Sequence, residues 1–188
     1  MALLFAGILL YCAVHLFPAA LPAVRSRAVL RLGEHPYKGV FSLLIIASIA
    51  LIVFGWKAAT PGILYRPPLA PGLVSSALML IALVLFAASA IPSNIGRLIR
   101  HPQMTAVILW SAAHLLTNGD RPSLLLFGGL GAWALLEIVL CNRRDGPWQR
   151  PAPRSRAADG AAIIVGVFSY AALAWFHLRL FGVAALPT

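Results

Sequence analysis

Long apolar runs alternate with short polar or basic breaks along this chain. Reading between charges and turn signals gives six runs, at 2–24, 39–58, 71–92, 103–118, 122–141 and 160–183. A bilayer crossing takes roughly 20 mostly apolar residues, so each run is a candidate spanning helix. The fourth is the shortest. It is separated from the fifth by "TNGDRP", a tight-turn signal, so these two should form a helical hairpin. The stretch "RRDGPWQRPAPRSR", within a basic Pro/Arg-rich segment at 143–159, has no core-forming period and reads as a cytoplasmic surface loop. The pattern predicts an all-α fold, a polytopic transmembrane helical bundle of about six helices. It should form a single domain over 1–188.

Composition strengthens this reading. The 188 residues are 61% hydrophobic and 11% charged, with a mean hydropathy of +0.88. Soluble domains carry about 25% charged residues. The net charge of +10 is parcelled between apolar runs, not gathered into a stripe with interleaved aromatics. The charge therefore suits a bilayer surface, and nucleic acid is not expected as a partner. The connections after the first, third and fifth runs carry four, two and five Lys/Arg, against two and one after the second and fourth. The positive-inside rule makes the odd connections cytoplasmic. Both termini are then expected outside, which for a bacterial inner membrane means periplasmic. Basic residues follow the first run and do not precede it, so a retained helix is expected there in place of a cleaved signal peptide.

Ionisable groups inside spanning segments are costly and mark functional candidates. His15 lies roughly 20 Å into the first helix and His114 roughly 17 Å into the fourth, at 1.5 Å per residue. These helices run in opposite directions, so both imidazoles are expected near the midplane. His101 cannot partner His114, because 13 residues of one helix place it about 20 Å away. Pro18 and Pro22 predict a kink just after His15. Two histidines are too few for a structural zinc site, which needs four ligands. Facing imidazoles at one depth suit a b-type haem held axially from both sides. Hydrogen bonding across the bundle is the alternative.

The remaining polar groups divide by position. Glu137 is placed to neutralise Arg143 or Arg144. His177 and Arg179 are expected at the interface. Arg97, Arg100 and His101 form a basic helix start ahead of Pro102, a residue suited to the first helical turn. An anionic ligand is a further use for such a start. Cys12 and Cys141 lie in separate apolar runs without zinc spacing.

The motifs "RLIRHPQM", "AHLLTNGD" and an early "VHLFPA" followed by "RSR" resemble the NnrU family of bacterial membrane proteins. That family is similar to 15-cis-zeta-carotene isomerase. The resemblance covers about residues 5–145 and leaves out the last helix. It implies a membrane haem b with His15 and His114 as the axial ligands of its iron. It also implies either a role in denitrification and nitric oxide metabolism or haem-dependent cis–trans isomerisation of a polyene. Implied partners are the lipid bilayer with a hydrophobic polyene substrate or with a respiratory or denitrification membrane complex.

One position departs from the isomerase pattern. The isomerase carries a cysteine three residues before its second ligand, and Ser111 stands there in this chain. A hydroxyl does not replace a thiolate as a soft iron ligand. Cys12 lies three residues before His15 and is an alternative ligand on the opposite helix. A sensor, an electron carrier or a respiratory assembly factor without catalysis is the alternative function. A membrane methyltransferase is a weaker one, because "RHPQMTA" lacks that class's following aromatic and glycine and no paired glutamates follow.

Overall fold

The computed structural model describes residues 1–67 and 72–185. Among them are seven helices, numbered here α1 (Ala2–Ala20), α2 (Pro22–Leu32), α3 (Glu34–Lys57), α4 (Gly72–Ala90), α5 (Pro102–Leu115), α6 (Arg121–Asp145) and α7 (Arg156–Phe181). A short 3₁₀ turn, Ile95–Arg97, precedes α5, and a π turn, Leu124–Gly128, lies inside α6. The expected helical bundle is borne out. Residue 71, where the third run was expected to start, lies outside the described residues.

Five helices, α1, α3, α4, α6 and α7, are long and apolar enough to cross a membrane. The chain is therefore an integral membrane protein. Their outward faces carry large apolar side chains: Leu43 is 67% exposed, Phe168 73% and Trp175 77%. Large apolar side chains exposed on each of these helices suit lipid.

The first run does bend, but at a definite place. Pro18 is accommodated inside α1. The break comes at Leu21, with φ −128° and ψ 59°, immediately before Pro22 opens α2. A residue preceding proline is driven from helical geometry, and proline itself suits a first turn. Gly33, at φ +88°, then turns the chain into α3, a conformation that favours glycine.

The fourth expected span is a 14-residue helix, α5. At 1.5 Å per residue it reaches roughly 21 Å, short of a ~30 Å hydrocarbon core. It still returns the chain to the side from which α4 departs. The Ser75 hydroxyl near the start of α4 donates to the Ala113 carbonyl near the end of α5, at 2.9 Å. Residues 62–65 after α3 also pair with residues 119–121 after α5. Leu64 N donates to Gly119 O at 2.8 Å, and Arg121 N to Gly62 O at 2.9 Å. Those two connections therefore meet at one place.

The helices form two compact units: Met1–Tyr65 with Gly119–Pro147, and Arg66–Asn118 with Trp148–Thr188. The first holds α1, α2, α3 and α6. Its helices approach through glycine: a Cβ on Gly7 would lie 2.7 Å from Ile52 N, and one on Gly55 would collide with the Leu4 backbone. Small residues drive such packing where lipid removes the hydrophobic contrast. The second unit holds α4, α5 and α7. Ala82, Leu85 and Ala106 form its core, flanked by Ile99 and Trp110. Gly166 of α7 closes directly on Val84 of α4.

Candidate functional site

In the first unit the site centres on His15 of α1. Its Nδ1 lies 3.0 Å from the carbonyl oxygen of Tyr11, one turn earlier. A carbonyl only accepts, so Nδ1 carries the proton and Nε2 keeps the lone pair. Three aromatic rings surround the imidazole. Tyr11 sits at 4.1 Å between centroids, Trp133 of α6 at 5.1 Å edge-on, and Phe41 of α3 at 5.7 Å edge-on. Tyr11 and Trp133 also meet edge to face at 5.2 Å. The buried Trp133 indole nitrogen has no hydrogen-bond partner. Three helices thus fix one half-buried imidazole.

In the second unit His114 occupies the last turn of α5. Its Nδ1 lies 2.9 Å from the Trp110 carbonyl, and the two rings lie 5.1 Å apart. By the same reasoning its lone pair resides on Nε2. The His114 carbonyl accepts from Asn118 N at 2.8 Å and Asn118 Nδ2 at 2.9 Å, which closes the helix end. The neighbouring Ala113 carbonyl takes Ser75, so His114 lies beside the first turn of α4.

The two histidines share a local sequence. "YCAVHLF", 11–17, and "WSAAHLL", 110–116, both read aromatic, small polar or thiol, Ala, small or branched apolar, His, Leu, apolar. The aromatic at i−4 is the residue whose carbonyl holds each Nδ1. That signal was readable from the chain. The contributions of Trp133 and Phe41 were not, because they come from distant helices.

Cys12 lies one turn before His15 as a half-buried free thiol. Ser111 holds the equivalent place before His114 and is 4% exposed. Among the described residues, no three His, Cys, Asp or Glu side chains converge as metal ligands. A metal held by protein atoms alone is thus poorly supplied. A macrocycle that brings four nitrogens of its own needs only one or two protein donors, and an Nε2 lone pair with Nδ1 engaged is the donor such iron takes.

The basic helix start has a structural use. His101 is the residue ahead of α5, Pro102 takes the first helical position, and the His101 carbonyl accepts Thr105 N at 3.0 Å and Thr105 Oγ1 at 2.9 Å. Arg97 Nε donates to the Pro151 carbonyl at 2.6 Å. Asn94 N and Nδ2 donate to Asp159 at 2.6 and 2.8 Å, and Arg154 N donates to Asn94 Oδ1 at 2.9 Å. The Pro/Arg-rich segment is thereby tied to the turn before α5. Arg100 stands in that turn, half-buried. At the end of α6, Arg144 pairs with Asp145 at 2.7 Å, and Glu137 Oε1 accepts from Cys141 at 3.6 Å. His177 Nδ1 lies 2.8 Å from the Val183 carbonyl and closes the end of α7.

A family model described as NnrU protein matches residues 3–185. It therefore extends past the motif-bearing residues 5–145 to include α7. No curated protein and no solved structure matches the chain.

Proposed function

Because the chain belongs to the NnrU family, we propose that it is a haem-b-binding integral membrane protein with His15 and His114 as the axial ligands. The observation that supports this reading most is the shared setting of the two imidazoles. Each is held by Nδ1 on the carbonyl of an aromatic residue four positions earlier, at 3.0 and 2.9 Å. That bond fixes the tautomer and ring orientation and raises the basicity of Nε2, as carbonyl partners do for iron-bound histidine. Bound haem would supply a redox-active iron.

The residues around His15 have definable tasks in this reading. Tyr11, Phe41 and Trp133 restrict the ring and shield it from water. A dry, apolar shell tunes the potential of such iron. The proposed physiological setting is nitric oxide or denitrification-linked membrane chemistry, with polyene isomerisation as the enzymatic form.

Ser111 in place of the isomerase's cysteine favours a second reading, in which His15 and His114 would both stay bound to the iron and the protein would serve as a sensor, electron carrier or assembly factor. Isomerisation or gas binding needs one ligand to leave. Cys12 is the thiol proposed to exchange if one does. Full-length protein purified from haem-replete cells tests the reading through its reduced-minus-oxidised spectrum with and without nitric oxide. Bis-histidine bands that persist under nitric oxide support the electron-transfer form. Their replacement by a nitrosyl spectrum supports a labile ligand, and the absence of any haem bands sinks the reading.

A further inference from the structure

A second site lies in the first unit, where the end of α1, the start of α2 and the beginning of α3 meet. An open-sided cavity of about 330 Å³ is lined by Pro18, Arg25, Tyr37, Lys38, Phe41 and Ser42. Its chemistry is uneven. Two cations and two hydroxyl groups line it beside an apolar patch formed by Pro18 and Phe41. The Arg25 guanidinium lies 5.8 Å from the Tyr37 ring centroid. Among the described residues, Arg25 has no carboxylate at ion-pair distance, whereas Lys38 holds Glu34 at 2.6 Å. The Tyr37 hydroxyl is shielded from solvent and has no hydrogen-bond partner. An unmade bond of that kind costs about 1–3 kcal/mol unless something supplies an acceptor.

The position in the fold narrows what that acceptor is. Pro18 belongs to the closing turn of one candidate span and Tyr37 to the opening turns of another. The cavity therefore sits at a membrane boundary, where headgroups are concentrated and basic residues attract anionic lipid. We propose that this pocket binds the phosphate group of an anionic glycerophospholipid. Arg25 supplies the uncompensated charge, Lys38 shares its own with Glu34 and reaches the phosphate as a second donor, Tyr37 and Ser42 supply hydroxyl donors, and Pro18 and Phe41 pack the glycerol end of the acyl chains. The volume admits a headgroup and excludes a whole lipid. Nothing in this inference depends on haem.

Native mass spectrometry of the detergent-purified full chain with phosphatidylglycerol or phosphatidylcholine tests it. Wild type should retain one phosphatidylglycerol in preference to phosphatidylcholine. Arg25→Gln should weaken that preference about tenfold, and Tyr37→Phe about fivefold, the range expected for one charged and one neutral hydrogen bond. Arg27→Gln, on the same helix but outside the cavity, should leave it unchanged. Helical circular dichroism of each variant checks that loss of lipid is not loss of fold. Where Arg25→Gln fails to fold, Tyr37→Phe with Lys38→Gln carries the comparison. Equal loss in Arg27→Gln, or no preference in wild type, overturns the proposal. Displacement of the lipid by millimolar inorganic phosphate overturns the lipid as the source and assigns the site to the free ion.

Discussion

The imidazole of His15 is bound through Nδ1 to the carbonyl of Tyr11 at 3.0 Å, and the ring of that tyrosine lies 4.1 Å from it. One residue therefore sets both the tautomer and the orientation of the side chain. The bond lies within α1 and needs no other helix to form. Trp133 and Phe41 then close around a ring that is already aimed. Preorganisation of this type is what a metal-binding histidine requires of its surroundings.

Cys12, one turn from His15, gives the first prediction. If it exchanges for the histidine in one oxidation state, Cys12→Ala shifts the optical spectrum of that state and leaves the other intact. Thiolate and imidazole ligation give distinct iron spectra. Identical spectra in both states for Cys12→Ala and wild type would remove the thiol from the account.

Close helix contact at Gly55 gives the second. A Cβ there meets the Leu4 backbone, which cannot rotate away. Gly55→Ala should destabilise the detergent-solubilised protein by about 1–3 kcal/mol, the usual cost of overpacking. Gly39→Ala, on the same helix with nothing within 4 Å, should be neutral or stabilising by up to about 1 kcal/mol. Thermal unfolding followed by circular dichroism separates them. Equal melting temperatures would contradict the packing described for α1 and α3.

Asn94 gives the third. Its side chain and backbone tie together Asp159, the Arg154 carbonyl and the Arg154 amide. Asn94→Ala removes these three side-chain bonds, each worth about 1 kcal/mol, and the longer one that its Oδ1 accepts from Arg97 Nη1 at 3.4 Å. Trypsin cleavage after Arg154, which Ser155 follows, should accelerate at least about tenfold, while the helical content stays unchanged. An unaltered cleavage rate would mean that the segment is not held at that turn.

Much of this architecture was legible in the sequence, for identifiable reasons. Apolar run length alone gives α1, α3, α4, α6 and α7 within a few residues, because lipid imposes a minimum helix length. A kink in the first run was legible from Pro18 and Pro22, but its place was not: Pro18 stays within α1 and the chain breaks only at Leu21, where Pro22 acts on its immediate neighbour. The fourth run was harder. Residues 103–118 contain enough apolar side chains for a span, but hydrogen bonding ends α5 at Leu115, where Asn118 takes the His114 carbonyl. Polar capping three residues on decided the length, and hydropathy does not register it. The region around the candidate ligands divides in the same way. Tyr11 and Trp110 sit at a fixed helical offset and could have been read. Trp133 reaches His15 only through the packing of α6 on α1, which close glycine contacts such as Gly129 against Ile8 permit. The use of Arg97 also escaped the sequence, since its partner is a backbone carbonyl 54 residues away.

Haem content of the two histidine variants tests the central proposal most directly. Wild type, His15→Ala and His114→Ala, each purified as the full chain from haem-replete cells, are compared by pyridine haemochrome absorbance per mole of protein. The account predicts near-stoichiometric b-type haem in wild type and loss of at least about tenfold in either variant, with helical content preserved, as expected when an iron ligand is removed. Wild-type protein without haem, or both variants with full occupancy, would contradict it.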